Sequence, residues 1–189
     1  MTRTGIILIG LLLIAWSSKA QTLNLTKTQR AAFSKMALEK TAALSNYIAT
    51  LCDKSSPAEL KQSAMSEALD LFRDRERIVQ VSSKTRNEVR SENIERYLNR
   101  LRVLPYTSVE IEWYDVNYVS EVKKGVDGKY YGTITIFQKF IGRNGEQTYE
   151  DVTQKNIGVV LEIRTKRIGD RVVEGWMVLL GDIEVVETK

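Results

Sequence analysis

The stretch LDLFRDRERIVQVSSKTR, Leu69 to Arg86, decides how the rest of the chain is read. Apolar residues recur at helical spacing up to Leu71 and Phe72. Arg-Asp-Arg-Glu-Arg follows without a Gly or Pro, and IVQVSS then alternates as a strand does. A helix that runs into one short strand must pass through a solvated crossing, which the alternating charges of Arg73 to Arg77 supply. Ile78 to Ser82 then reads as the outer member of a sheet.

Upstream, Leu25 to Leu51 reads as one long amphipathic helix. Phe33, Met36, Ala37, Leu44, Tyr47, Ile48 and Leu51 lie on its apolar stripe, and Thr26 with Gln29 forms a capping box at its start. CDKSSP breaks it. Ser56-Pro57-Ala58-Glu59 opens a second helix with Ser56 as N-cap and Pro57 in the first turn. Downstream, Ser91 caps a third helix that buries Ile94, Tyr97, Leu98, Leu101 and Leu104, and Pro105 stops it.

Everything after Pro105 reads as β. SVEIEWYDVNYV alternates as Val109, Ile111, Trp113 and then shifts phase to Tyr114, Val116, Tyr118, the mark of a bulge. YYGTITIFQKFI follows an Asp127-Gly128 turn. Asn144-Gly145 marks a tight hairpin, and NIGVVLEIRT and VVEGWMVLLGDIEVV pair around Gly169-Asp170. Helices grouped first and strands last predict an α+β fold: three N-terminal helices on a strongly curved antiparallel sheet, in the order α-α-β-α-β-β-β-β.

The ends and the composition restrict function. Arg3, the apolar run Ile6 to Trp16, and the small residues Ser18 and Ala20 have the layout of a signal peptide cleaved after Ala20. The expected organisation is a leader over 1–20 and a single domain over 21–189, in the periplasm or outside the cell. The apolar run is shorter than the roughly 20 residues a membrane helix needs. Membrane association follows only if the leader stays uncleaved, as an anchor. Arg3 and Lys19 fall in an acid-free leader, so the mature chain carries two fewer positive charges than the formal +4. That balance does not suit a nucleic-acid partner. The single Cys52 sits at an apolar helical position, as a buried inert thiol does. The chain has no His, which removes Ser-His and Cys-His catalysis and His-containing zinc sites. No cofactor and no metal site is expected.

The helix-to-edge-strand segment LFRDRERIVQVSS, the phase-shifted EIEWYDVNYV and the last strand GWMVLLGDI resemble the nuclear-transport-factor-2-like (SnoaL-like, cystatin-like) cone superfamily over Thr26 to Thr188. The resemblance implies a cone between helices and sheet. Enzymes of that superfamily place a base and an oxyanion donor there, commonly Asp or His with Tyr. Asp115 and Asp182 are the acids set among aromatic or apolar strand residues, with Tyr114, Tyr118 and Tyr131 as donors. Trp113, Tyr131, Phe137 and Trp176 are candidates to line a ligand pocket at the cone mouth, or are ordinary core.

The last strand is apolar on both faces: Trp176, Val178 and Leu180 on one, Met177 and Leu179 on the other, with Val160 as a neighbour. Helices cover one face of such a sheet, so an apolar second face predicts a protein partner or a homo-oligomer. The main functional expectation is therefore a non-enzymatic exported envelope protein, binding a partner or itself through Met177, Leu179 and Val160. The alternatives are small-molecule binding or weak acid–base catalysis in the cone, and a membrane-anchored scaffold of secretion machinery.

Overall fold

A computed structural model of the chain describes residues 24–189 apart from Val119 and Asp170. The expected leader and its cleavage point lie outside the described residues, as does the second residue of the expected Gly169-Asp170 turn. The first helix, α1 (Lys27–Cys52), starts on Thr26, whose side chain accepts from the Gln29 N–H while Gln29 reaches back, completing the capping box. Helix α2 (Ala58–Asp70) begins at Pro57 rather than on a serine cap. Ser56 instead donates its hydroxyl to Asp53 at 2.7 Å, in the turn that leaves α1.

The chain then enters β1 (Ile78–Ser83), turns into β2 (Arg86–Asn93) and continues into α3 (Ile94–Arg102). Strands β3 (Ser108–Tyr118), the two-residue β4 (Lys123–Lys124), β5 (Tyr130–Asn144), β6 (Gln147–Ile168) and β7 (Arg171–Thr188) follow. The sheet order is β2-β1-β7-β6-β5-β3, with β4 pairing β5. Three helices therefore pack on one curved, seven-stranded sheet, the cone arrangement of the α+β class.

Three local expectations are corrected. Strand β1 is not the outer member, since β2 lies outside it. β2 reads RNEVRSEN, almost wholly polar, and forms through its antiparallel ladder with β1 rather than through apolar burial. Charge on an exposed edge strand also blocks pairing with other chains. Ser91 therefore sits in a strand, and Asn93 caps α3 by accepting the Arg96 N–H at 2.9 Å. Finally, the sheet is mixed, because β1 runs parallel to β7 at Val79 and Ile183.

The crossing from α2 to β1 is stitched to β7: the Arg73 N–H donates to the Leu180 carbonyl at 3.0 Å, and the Leu180 N–H to that of Leu71 at 2.9 Å. The expected bulge in β3 is present. Register shifts between Tyr114 and Asn117, and Asp115 takes a left-handed φ of 48°. In the β5–β6 hairpin the two loop residues are Gly145 and Glu146, between the paired Asn144 and Gln147. Gly145 alone takes a positive φ, of 60°, as a turn with Gly in its first central position requires. The core gathers Phe33, Leu44 and Ile48 of α1, Leu98 of α3, and Ile134, Ile136, Ile157 and Leu180 of the sheet.

Candidate functional site

The inner face of β6 carries the unusual residues. Tyr149, Asp151, Thr153 and Lys155 alternate in phase with the fully buried Ile157, so all point toward the helices. Opposite them on β5 stand Phe140 beside Asp151, Gln138 beside Thr153 and Ile136 beside Lys155. Between this stripe, α3 and the β1–β2 hairpin lies a cavity of about 300 Å³. Leu101, Leu104, Ile111 and Phe140 supply apolar wall, and Gln138, Asp151 and the mouth residues Glu88, Arg90 and Arg100 supply polar and charged groups.

A buried polar group is costly unless hydrogen-bonded, so the partners matter. Asp151 is 6 % exposed. Tyr149 donates its hydroxyl to Asp151 Oδ2 at 2.5 Å and lies 2.7 Å from the Ser83 hydroxyl. The Phe140 ring packs 5.9 Å from that of Tyr149. The buried Trp113 indole donates to Gln138 Oε1 at 3.2 Å, which fixes the amide that faces the cavity. Deeper in, Lys155 is 2 % exposed. Its Nζ donates to the Gln80 carbonyl at 3.3 Å and lies 5.8 Å from the centre of the Tyr97 ring. Arg100, held by Glu92 at 2.9 Å, lies 5.6 Å from the same ring.

These surroundings move the proton affinities. Burial pushes the Asp151 carboxyl above the usual carboxylate range, against the pull of the Tyr149 hydrogen bond and of Lys155 and Lys84. Burial raises Tyr149 as well, and its bond to Asp151 adds to that. Lys155 is lowered to about 8, chiefly by burial, with Asp151 acting the other way. Asp151 is thus a carboxyl suited to exchange a proton with a ligand, with a tyrosine O–H beside it. Burial also raises the Cys52 thiol to about 12, which leaves it unreactive at neutral pH. Among the described residues, no group of three or more acidic or cysteine side chains is placed to hold a metal ion.

The residues singled out in the sequence do not share one cavity. Trp113 faces the core and meets the cone through Gln138. Asp115 is exposed at the bulge. Phe137 is half-buried and stacks on Tyr114 at 5.7 Å. Trp176 is exposed, with its ring 5.8 Å from that of Tyr130. Tyr131 donates to Asp127 at 2.6 Å, and Asp182 accepts the Ile78 N–H at 2.7 Å. Tyr131, Asp182 and Val160 line a separate hollow on the outer face of the sheet.

The partner-binding or self-associating reading of that outer face is corrected. Leu179 and Val160 are 3 % and 4 % exposed within the chain itself, and Met177 is half-buried. Next to them Glu162 gathers Arg164 at 2.7 Å, Lys129 at 3.1 Å and Arg73 at 3.4 Å. The apolar side chains that suggested a docking face are already packed and bordered by charge. The open, partly apolar space lies in the cone.

The polar stripe had a signal in the sequence. TYEDVTQKNIG places Tyr149, Asp151, Thr153 and Lys155 at period two with Ile157, and a polar set in phase with a core residue marks a buried polar site.

No family model matches the chain, and no curated protein matches it. Among solved structures, a protein from Novosphingobium aromaticivorans DSM 12444, provisionally named a scytalone dehydratase, is similar at 10% identity and a TM-score of 0.42. The likeness spans 86% of this chain and 90% of that one. It carries no argument about activity, and the candidate site rests on the geometry of Asp151, Tyr149 and Lys155 in this chain.

Proposed function

We propose that the chain binds a small organic molecule in the cone cavity, with Asp151 meeting a hydrogen-bonding or proton-exchanging group of that ligand and Tyr149 orienting the carboxyl. The observation that carries this reading is a buried carboxyl at the wall of a cavity of about 300 Å³ whose other walls mix apolar and aromatic side chains (Leu101, Leu104, Ile111, Phe140) with polar and charged ones (Ser83, Arg90, Arg100). Apolar walls that bring a set of placed polar groups together are the pattern of small-molecule sites. The volume suits a ligand of about one ring, and a carbonyl or hydroxyl group is the natural partner for Asp151.

The test is ligand-observed NMR on the purified chain with a panel of one-ring hydroxy and carbonyl compounds. At least one should bind, and Asp151→Asn should weaken it about tenfold, the loss expected for a hydrogen bond to a charged group. Failure of the whole panel to bind, or equal binding by Asp151→Asn, sinks the reading.

The chain is further read as an exported member of the cone superfamily. N-terminal sequencing of protein recovered from the producing cell should begin at Gln21. A start at Met1 would mean that the leader is retained.

A further inference from the structure

We propose that the hollow on the outer face of the sheet is a second site, separate from the cone, and that it binds a neutral saccharide. The hollow measures about 330 Å³ and is built by a bulge. Register shifts between Ile157 and Val159, so that Gly158 of β6 faces Gly181 and Asp182 of β7. A Cβ on Gly181 would lie 3.3 Å from the Gly158 carbonyl oxygen, so the strands approach here without side chains between them. Bulges commonly re-aim a side chain beside a binding site. Here Asp182 is the re-aimed residue.

The groups around the hollow match a sugar in two respects. The first is an aromatic ring held in place. Tyr131 has its hydroxyl fixed on Asp127 at 2.6 Å. Its ring edge rests on Gly125, where a Cβ would fall 2.7 Å from Tyr131 Cε2. The residue is still 38 % exposed. The electron-rich face of an aromatic ring attracts the weakly positive C–H groups on the flat side of a pyranose.

The second respect is a mixed set of donors and acceptors, which hydroxyls require because each both gives and takes a hydrogen bond. Asn156 uses its Oδ1 to accept from Thr135 at 2.6 Å, which leaves its NH2 group to donate. Among the described residues, the Glu184 carboxylate and the Thr133 hydroxyl have no side-chain partner. Asp182 engages the Ile78 N–H and Arg77 through Oδ1, which leaves Oδ2 to accept. Two arginines line the hollow: Arg77 is shared between Asp74 at 2.9 Å and Asp182 at 3.7 Å, and Arg73 lies 3.4 Å from Glu162, so both positive charges are already balanced and the hollow is not built for an anion. Neutral polyol chemistry fits it better.

Saturation-transfer NMR on the purified chain tests this, with glucose, galactose, N-acetylglucosamine, maltose and cellobiose as probes. At least one should bind. Tyr131→Ala and Glu184→Gln should each weaken that sugar about tenfold or more while the thermal midpoint stays in place, since both side chains are exposed. The proposal is overturned if none of the five sugars binds, or if binding survives both substitutions.

Discussion

Replacing Lys155 with methionine should raise the folding stability of the chain at pH 7 by on the order of 3 kcal/mol, a gain that fades as the pH approaches 10.5. Burial holds the Lys155 ammonium at a pKa of about 8, whereas the unfolded chain restores the ordinary 10.5. Between those values the unfolded chain binds more protons than the folded one, so folding stability rises with pH across that window. Below about 8 the native chain carries an ammonium at 2 % exposure, and the penalty is fully present. Above 10.5 the amine is neutral in both states and the penalty is gone. Methionine has a similar unbranched shape and no charge, so it removes the penalty without leaving a large void. Urea unfolding of both chains at pH 7 and pH 10 checks this. A stability difference that does not change with pH would refute it, and so would a methionine variant less stable than the parent at pH 7. A lysine buried at such a penalty, beside the Asp151 carboxyl, is in keeping with the site proposed in the cone. Its positive charge draws the Asp151 pKa downward against burial, so Lys155→Met should also push Asp151 further up.

The division of the chain into helices and strands was legible because the apolar periodicities are strong. The capping box at Thr26 and the phase shift at Asp115 were legible because each has a local chemical cause. Strand β2 was not, because its stability comes from ladder hydrogen bonds to β1, and RNEVRSEN shows no alternation and has Val89 as its one apolar residue, which is exposed. The same limit hid the candidate site in the cone. Asp115 and Asp182 drew notice because aromatic or apolar neighbours surround them in sequence, but burial is decided across strands. Asp151 lies between Glu150 and Val152 in the chain, yet Phe140 of β5 stands opposite it and the hairpin hydroxyl of Ser83 reaches its Tyr149 partner. The two-faced apolar strand at Met177 to Leu180 misled for a related reason. The charges that border its outer face come from three segments distant in sequence: Arg73 in the α2–β1 crossing, Lys129 ahead of β5, and the neighbouring Glu162 and Arg164 of β6.

Leu44→Ala should destabilise the chain by roughly 2–5 kcal/mol, and Met36→Ala by less than about 1 kcal/mol. Both residues belong to the apolar stripe that the sequence assigns to α1, so the contrast depends on how that helix is turned. The buried positions are Phe33, Ala37, Thr41, Leu44, Ile48 and Leu51, successive steps of four and three along one face, with Cys52 buried at the helix end. Leu44 is fully buried on that face. Met36 precedes Ala37 by one residue and so points about 100° away from it, where it is 40 % exposed. Thr41 completes the buried face by donating its hydroxyl to the Ala37 carbonyl at 2.9 Å, which satisfies a polar group inside the core. Losing Leu44 therefore leaves a void between α1 and the core, whereas losing Met36 mainly exposes surface already wet. Chemical denaturation of the two variants reads the difference directly. Equal losses would mean that α1 presents a different face to the sheet. The packing that holds α3 over the cone would then change with it, because α3 contributes Leu98 to the same core and Tyr97 and Leu101 to the cavity wall.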